Sequence, residues 1–402
     1  MFLWVKDNMA TEYNIWNLYG LKGNPFSTDP LSMYSNELPI KESFFGREDE
    51  LTKMKKIIHS NKTSRILVYG DIGIGKTTFV NYVKYDAIAE GYFTPLGELS
   101  IQYSWTPEDF MLNTIGMVWT AIDRNKSIRD KFGSDLVKKL NIIFGVDRGA
   151  SVGFGVSVAG SLSMGSSYGI PSFSSHTLKI LFQDVLYEIR RIGFKGVIIH
   201  YNNLELLQDK NETQLKKIMN GIRDFMQIDG VHFIFVSDKT LYELFQQLPR
   251  VEDIFQVPIL LLPFELAEIK KIINKRIHLL AVEAGITPIV PFDDETLSIL
   301  FKLYAGNLRG ILRSLDCAIN EAVTSRPIRI SPIILKITLF KYAQNRFMRS
   351  LGAKEDAITM KILRRILEKR ETTNKLLAEN FRMLPQNVSA SITKLREVGA
   401  IR

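Results

Sequence analysis

One segment, SRILVYGDIGIGKTTFVNYV (Ser64–Val83), constrains the fold of this 402-residue chain more than any other. Its apolar run, Ile66–Tyr69, suits a buried parallel strand, and a helical pattern follows the glycine-rich turn. The turn matches G-x-x-x-x-G-K-[ST], in which the backbone N–H groups point at phosphate oxygens. Lys76 would reach the β- and γ-phosphates, and the Thr77 hydroxyl would coordinate Mg²⁺. The motif therefore predicts a site for ATP or ADP with Mg²⁺. The predicted cradle comprises Gly70, Asp71, Ile72, Gly73, Ile74, Gly75, Lys76, Thr77 and Thr78.

The net charge of +9 is concentrated at one end of the chain. Residues 330–402 contain 15 Lys and Arg against 6 Asp and Glu, which accounts for the whole excess. A basic excess of this kind predicts a polyanionic partner, duplex DNA first, although a basic surface that only aids solubility is the alternative. The single cysteine, Cys317, fits a reducing compartment, and no stretch of 18 apolar residues suggests a membrane span. We therefore expect a cytoplasmic protein without a membrane partner.

Three further segments surround the cradle in a set order. Upstream lies FFGREDELTKMKKII (Phe44–Ile58), and downstream VHFIFVSD (Val231–Asp238) is a second buried strand with a polar end. Further on, YAGNLRGILRSLDCAINEAV (Tyr304–Val323) is a helix opened by a Gly-Asn turn. With the cradle, this order resembles AAA+ ATPases of the replication-initiator branch, the origin-recognition and cell-division-control type, over roughly residues 40–325.

The resemblance implies roles for single residues. Ser237 or Asp238 would act as sensor 1 near the γ-phosphate or the attacking water, with capping of the next helix as the alternative. Arg250 would be an arginine finger that reaches a neighbouring subunit's γ-phosphate, or else a surface charge. Arg309 would be the sensor-2 arginine that closes a helical lid over the phosphates, or else a helix-surface charge. Arg313, one turn further on, would then be structural or surface-facing.

The strand in GVIIHYNNLELL departs from the family pattern. In the family it ends in Asp-Glu, whose Asp orders a magnesium-bound water and whose Glu polarises the attacking water. Asn202 and Asn203 stand there instead, and an amide can hydrogen-bond such a water but cannot accept its proton. Glu205 or Asp238 could replace the missing base, while His200 is expected to be packed inside the protein. We expect nucleotide binding to survive and hydrolysis to be slow or partner-dependent.

Residues 149–175 form an insert without any charged side chain. Val152, Phe154, Val156 and Val158 alternate with small residues, which predicts a β-hairpin with one apolar face. The hairpin would either pack on its own subunit or contact a neighbour or partner. Because it lacks charge, we do not expect it to bind phosphates.

The C-terminal segment, Met360–Arg402, has a helix-turn-helix pattern. Ile362 and Leu363 begin the apolar stripe of a first helix, and Leu376 and Leu377 belong to the apolar stripe of a second. A third helix follows the turn MLPQNVS, whose proline suits a helix start. The pattern resembles the winged-helix domains that initiator-type ATPases carry, although such modules also act as protein–protein adaptors. The candidate DNA-binding residues are Gln386, Asn387, Ser389, Ser391, Lys394 and Arg396.

The predicted fold class is therefore α/β: a P-loop AAA+ core with a parallel sheet, a small all-α lid domain and a C-terminal helix-turn-helix, winged-helix-like domain. The predicted bounds are 1–45 for an N-terminal segment, 46–262 for the core, 263–328 for the lid and 329–402 for the last domain. The predicted function is an ATPase that acts on DNA in replication and assembles, as a homo-oligomer or with a partner ATPase subunit, under nucleotide control. The alternatives are a transposition target-selection ATPase and a STAND-type signalling or defence switch.

Overall fold

The computed structural model of the chain describes residues 14–34, 37–144, 173–207, 213–248, 254–255, 257–282, 288–322, 328–351, 358–369 and 373–397. These residues form two compact units. The larger comprises the described parts of Gly20–Pro288 and Leu300–Leu312, and the smaller those of Met1–Tyr19, Ile289–Ile299 and Arg313–Arg402. The domain boundaries stated above stay predictions.

A parallel sheet of five described strands forms the centre of the larger unit. The strands are β1 (Ser64–Tyr69), β2 (Leu99–Ser100), β3 (Val197–Asn202), β4 (Val231–Ser237) and β5 (Val257–Leu260). They lie in the order β2-β3-β4-β1-β5, and every pairing is parallel. The carboxyl ends of β1, β3 and β4 therefore meet at one edge of the sheet, where ligands bind in open α/β folds. The predicted α/β class with a parallel sheet is confirmed.

Helices accompany these strands and continue to the end of the described chain. They are α1 (Ile40–Ser43), α2 (Glu48–Ser60), α3 (Lys76–Ala89), α4 (Pro107–Arg124), α5 (Lys126–Arg129), α6 (Ser134–Phe144), α7 (Ser175–Arg191), α8 (Thr213–Ile222), α9 (Lys239–Gln246), α10 (Leu266–Leu279), α11 (Asp294–Tyr304), α12 (Leu308–Ala322), α13 (Pro332–Leu351), α14 (Ile358–Lys369), α15 (Asn374–Phe381) and α16 (Pro385–Glu397). Short 3-10 helices span Ile15–Tyr19, Leu204–Leu207 and Phe225–Gln227.

Both faces of the sheet are buried, as the near-continuous apolar strands require. On one face, Ile199 and Phe233 join a core that includes residues of α4, α7 and α8. On the other, Ile198 and Ile234 join a core that includes residues of α2 and α3. Successive residues of a strand alternate between the faces, so the pleat decides which β3 side chains face the cradle helix α3.

In the smaller unit, α14, α15 and α16 pack around Ile362, Leu377, Val388 and Leu395. These are the three helices predicted from the C-terminal pattern. One detail was wrong: Leu376, assigned to the buried stripe of the second helix, is 50% exposed. The winged-helix assignment stays a prediction.

Two predictions fall outside the described residues. They concern Arg250 and all but the last three positions of the 149–175 insert; those three lead into α7. Across the described ranges, no helix has both the length and the apolar character needed to cross a membrane.

Candidate nucleotide site

The loop between β1 and α3 has the conformation of a phosphate cradle. Gly73 and Gly75 have φ angles of 89° and 93°, in the left-handed region that glycine adopts without strain. Because α3 begins at Lys76, the unpaired N–H groups of its first turn face the loop. Lys76 Nζ donates to the backbone carbonyls of Gly70 and Asp71, at 2.8 Å each. The loop thus offers backbone donors, a helix dipole and a cation to one anion.

A cavity of about 210 Å³ opens onto this loop. Its lining comes from six separate stretches of the larger unit: the N-terminal segment, the cradle, the end of β3, β4, α10 and the start of α12. Ten of the predicted site residues therefore lie around one space. They are Ile72, Gly73, Gly75, Lys76, Thr77, Thr78, Asn202, Asn203, Glu205 and Arg309.

The end of β3 places its amides toward the cradle. Alternation puts Ile198, His200 and Asn202 on the α3 side, whereas the Tyr201 hydroxyl bonds Thr114 of α4 at 2.8 Å. His200 is fully buried, and neither of its ring nitrogens has a hydrogen-bond partner among the described residues. Burial, and secondarily the charge of a nearby lysine, hold the pKa of His200 well below its ordinary value. His200 is therefore a packed, neutral residue, as expected.

Both asparagines are occupied by structural hydrogen bonds. Asn202 Nδ2 donates to Glu98 Oε1 at 3.1 Å, and Asn202 Oδ1 accepts the N–H of Asn203 at 3.0 Å. Asn203 Nδ2 donates to Ser100 Oγ at 3.3 Å. Asn203 also has a φ of 58°, a conformation that asparagine tolerates better than most residues. The two amides therefore hold the strand end in place and supply no proton acceptor.

Glu205 is the carboxylate that reaches the cavity from this turn. It lies on the 3-10 helix Leu204–Leu207, and its Oε2 is buried without a hydrogen-bond partner among the described residues. Burial raises the pKa of Glu205, the charge of Asp238 raises it further, and Lys76 opposes the shift. Burial likewise lowers the pKa of Lys76, against the opposing charges of Glu205 and Asp238. A partly desolvated carboxylate beside the phosphate-binding lysine has the properties of a general base.

The sensor-1 candidates lie at the end of β4, but their side chains hydrogen-bond backbone groups. Ser237 is buried, and its Oγ donates to the carbonyl of Asp238 at 3.1 Å. Asp238 Oδ1 caps α9 by accepting the N–H of Leu241 at 2.8 Å. The capping alternative is thus realised for Asp238. Its charge still acts on the pKa values of the site through space, as described for Glu205.

The turn before α12 contacts the cradle directly. The N–H of Arg309 donates to the carbonyl of Gly73 at 3.0 Å, and Asn307 Nδ2 donates to the carbonyl of Ile72 at 2.5 Å. A Cβ at position 73 would lie 2.5 Å from Asn307 Oδ1 and 2.9 Å from Arg309 Cβ, so the approach requires glycine. Arg309 therefore lies against the cradle and lines the main cavity, and its assignment as sensor 2 stays a prediction.

A smaller cavity of about 40 Å³ adjoins the cradle. Phe44, Phe79 and Phe264 line it, and the Arg47 guanidinium lies 4.1 Å from the centroid of the Phe264 ring. Flat apolar walls of this kind suit a planar base. The assignment of this place to the adenine stays a prediction.

The residues around the main cavity fit a magnesium ion that arrives with a nucleotide. The described residues contain no group of three or more His, Cys, Asp or Glu that could hold a metal ion by itself. Mg²⁺, however, is commonly bound by substrate phosphates and only one or two protein groups. Thr77 would supply its hydroxyl, and Asn202 would hydrogen-bond a metal-bound water. Glu205 Oε2 has no hydrogen-bond partner among the described residues, so it would accept a hydrogen bond from a polar ligand in the cavity. When bound, the ion would neutralise charge on the β- and γ-phosphates.

The candidate DNA-binding face of α16 is only partly exposed. Ser391 is 6% exposed and accepts a hydrogen bond from Thr359 Oγ1 at 3.3 Å, so its assignment to a groove-facing position was wrong. Its register on the helix points it at α14. Ser389 is half-buried and accepts from Asn374 Nδ2 at 3.1 Å. Four other candidates are exposed: Gln386, Asn387, Lys394 and Arg396.

Three further residues that shape the site were not predicted from the sequence. Glu98 meets Asn202 only because β2 pairs with β3, and no motif marks it. Asn307 stands in the YAGNLRG turn, and its position beside Arg309 was a usable signal. Arg276 lines the cavity and is 5% exposed, and it donates to the carbonyl of Ser27 at 2.8 Å. Burial lowers the pKa of Arg276 to about 10.

No protein-family model and no curated protein matches the chain. Solved structures do match. The Aeropyrum pernix ORC2 protein in ADPNP–ADP complexes is 14% identical, with a TM-score of 0.47 over 94% of this chain and 91% of that chain. Aeropyrum pernix ORC1 in complex with DNA is 16% identical, with a TM-score of 0.46 over 90% and 86%. A Thermotoga maritima RuvB variant is 14% identical, with a TM-score of 0.40 over 91% and 92%. The first two are of the origin-recognition type that the motifs resemble. Likeness at these scores carries no functional weight, so the function rests on the residues of this chain.

Proposed function

We propose that this chain is an ATP-binding, slowly hydrolysing ATPase of the AAA+ type that acts on duplex DNA and assembles under nucleotide control. One observation carries the proposal: Lys76, Glu205 and Arg309 line a single cavity at the phosphate cradle. Lys76 and the α3 N-terminus would bind the β- and γ-phosphates. Arg309, at the start of α12 beside the cradle, would add positive charge where negative charge develops during phosphoryl transfer.

In this proposal Glu205 orients and deprotonates the attacking water. The Asn202 and Asn203 side chains cannot accept a proton, and Asp238 is engaged as a helix cap. Glu205 has an unpartnered oxygen and a raised pKa, which suit a base. It is borne on a short turn beyond the strand, and a group on a turn is positioned less firmly than one on a strand. This location supports slow turnover, accelerated by a partner that orders the turn.

Assembly would complete the site in trans. We propose that Arg250 of one subunit reaches the γ-phosphate held by the next, in a homo-oligomer or beside a partner ATPase subunit. Arginine suits this task because its fork binds phosphate oxygens in a bidentate manner.

DNA binding would reside in the C-terminal segment. Its support is the basic excess of residues 330–402 and the exposed polar face of α16. On that face, Lys394 and Arg396 would contact phosphates, whereas Gln386 and Asn387 at the helix start would reach base edges.

The decisive experiment measures DNA affinity with and without ATP, for the wild type and for Lys76→Ala. We expect salt-dependent DNA binding that ATP strengthens in the wild type. In Lys76→Ala the ATP effect should be lost, while the basal affinity should remain, because the basic segment is intact. The variant Lys394→Ala/Arg396→Ala should weaken DNA binding and leave ATP binding unchanged.

No DNA affinity at low salt in any nucleotide state would contradict the DNA-directed function. If ATP binding persisted in that case, the chain would instead be a nucleotide switch of the signalling class. ATP binding that is equal in the wild type and in Lys76→Ala would contradict the nucleotide site itself.

A further inference from the structure

The end of β3 is held by a carboxylate that belongs to the neighbouring strand. Glu98 directly precedes β2, whose Ser100 pairs with Asn202 of β3. This register brings Glu98 Oε1 to 3.1 Å from Asn202 Nδ2. The Glu98 carboxylate thus hydrogen-bonds Asn202 directly. Asn202 stands at the strand position where the resemblance implies an aspartate.

This contact fixes the orientation of the Asn202 amide. An ionised carboxylate only accepts hydrogen bonds, so Asn202 must present its NH₂ group to Glu98. The oxygen of the amide therefore points the other way, where it accepts the N–H of Asn203 at 3.0 Å. An amide oxygen has two lone pairs, so one remains for a further donor at the cavity that Asn202 lines.

The backbone that carries Glu98 is tied to the cradle helix. Lys84 of α3 is completely buried, and its Nζ donates to the carbonyls of Gly97 at 2.6 Å and Leu96 at 3.2 Å. Burial lowers the pKa of Lys84 to about 7, with the charge of Glu98 opposing the shift. Lys84 thus anchors the two residues before Glu98 to the same helix that begins with Lys76.

The other polar neighbour does not compete for Glu98. His200 Nδ1 lies 3.8 Å from Glu98 Oε2, beyond hydrogen-bond distance. Asn202 is therefore the described side chain that bonds Glu98 directly. The Glu98 side chain is 32% exposed, so its charge is partly screened but not cancelled.

We propose that Glu98 is a positioning residue for the magnesium-bound nucleotide, which fixes the Asn202 amide with its oxygen toward the cavity and supplies the negative charge that Asn202 lacks. The inference rests on the proposed nucleotide-binding function. In effect, the task of one strand-end aspartate is divided between an amide on β3 and a carboxylate preceding β2. Glu98 acts through Asn202 and does not itself touch the nucleotide.

The test compares nucleotide affinity in EDTA and in Mg²⁺, with a fluorescent ATP analogue as the probe. In the wild type, Mg²⁺ should tighten binding. Glu98→Gln should reduce this Mg²⁺-dependent gain by roughly fivefold and leave the affinity in EDTA equal or tighter, because it removes a partly screened negative charge near the phosphates. Glu90→Gln is the matched control, since Glu90 is similarly exposed, at 30%, and bonds His59 instead. It should leave the gain unchanged.

A second variant tests whether Asn202 and Glu98 together perform the task of one aspartate. In the wild-type background, Asn202→Asp should not increase the Mg²⁺-dependent gain in nucleotide affinity, because it places two carboxylates side by side. The melting temperature of this variant should fall for the same reason. In the Glu98→Gln background the same change should restore the Mg²⁺-dependent gain. The coupling between the two positions is then read from the double-mutant cycle.

The outcomes separate this inference from the proposed function. If the wild type binds the nucleotide and Glu98→Gln keeps the Mg²⁺-dependent gain within twofold, the role of Glu98 is overturned and the nucleotide site stands. Equal effects of Asn202→Asp in both backgrounds also overturn it. If the wild type binds no nucleotide in either condition, both proposals fall together.

Discussion

Strands β1 and β3 end at the same edge of the sheet, but their ends are built differently. After β1, the cradle offers the backbone N–H groups of the loop and the ammonium group of Lys76, and the lysine is held by two carbonyls at 2.8 Å. After β3, the strand end is held by side-chain amides: Asn202 accepts the backbone N–H of Asn203 and donates to Glu98, and Asn203 donates to Ser100. Glu205, the carboxylate that lines the cavity from the turn after β3, has an oxygen without a partner among the described residues.

The difference separates two tasks that share one site. Binding a polyphosphate needs donors and positive charge, and the β1 end provides both in a rigid form. Hydrolysis needs a proton acceptor near the attacking water, and the β3 end provides it only from the turn beyond the strand. Changes at the β1 end should therefore weaken binding most, whereas changes at the β3 end should alter turnover, stability and the Mg²⁺-dependent part of the affinity.

The largest effect is expected at the β1 end. Lys76→Ala should weaken ATP affinity by about 100-fold, because it removes a charge-assisted contact to two phosphates. Isothermal titration or a fluorescent nucleotide would measure it. Lys53→Ala, which removes a lysine that bonds the carbonyl of Pro258 at 3.2 Å, serves as the control and should change little. ATP affinity that survives in Lys76→Ala would show that the cradle is not the binding site.

An intermediate effect is expected at the turn before α12. Arg309→Ala should weaken ATP affinity about tenfold, because one charged contact from the start of α12 is lost while the cradle remains. Arg313→Ala is the control in the same helix, since Arg313 is exposed and bonds the Tyr342 hydroxyl at 2.7 Å. Equal affinities for the two variants would remove Arg309 from the site.

A smaller effect, on stability, is expected at the β3 end. Asn203→Glu should lower the free energy of unfolding by about 1–2 kcal/mol, because a glutamate at a φ of 58° is strained. Asn203→Gly should cost less than Asn203→Glu, because glycine adopts this conformation freely. Chemical denaturation would measure both. A glutamate that is tolerated as well as glycine would show that the backbone does not select asparagine here.

The smallest effect concerns the charge of Glu205. Because the pKa of Glu205 is raised in the folded chain, its ionisation destabilises the folded state. This loss of stability is absent below the pKa that Glu205 has in the unfolded chain and complete above the pKa that it has in the folded chain. Glu205→Gln should therefore raise the melting temperature at pH 8 by about 1–3 °C and leave it unchanged near pH 3. Thermal unfolding at the two pH values tests this, and a lower melting temperature at pH 8 would contradict it.

The β1 end could be predicted almost completely from the sequence, because the cradle is contiguous. Its strand, glycines, Lys76 and helix lie within Ser64–Val83, and their local conformations determine the geometry. The replacement of acids by Asn202 and Asn203 was also visible. What those asparagines bond was not, since Glu98 and Ser100 reach them through a pairing between strands distant in the sequence.

One error has the same origin. Ser391 was assigned to an exposed face, but the packing of α16 on α14 turns it inward. Local pattern thus predicts which elements form, whereas tertiary packing decides which side of each element is exposed.

The central claim is that Glu205 is the hydrolytic base of a site whose strand end carries asparagines and no acids. Single-turnover ATP hydrolysis tests it most directly, with wild type, Glu205→Gln and Asp238→Asn each in saturating excess over ATP and with saturating Mg²⁺. We predict that Glu205→Gln lowers the rate by about 100-fold while nucleotide affinity stays within about threefold, and that Asp238→Asn loses much less. A Glu205→Gln rate equal to that of the wild type, with Asp238→Asn inactive, would contradict the claim and place the base on β4.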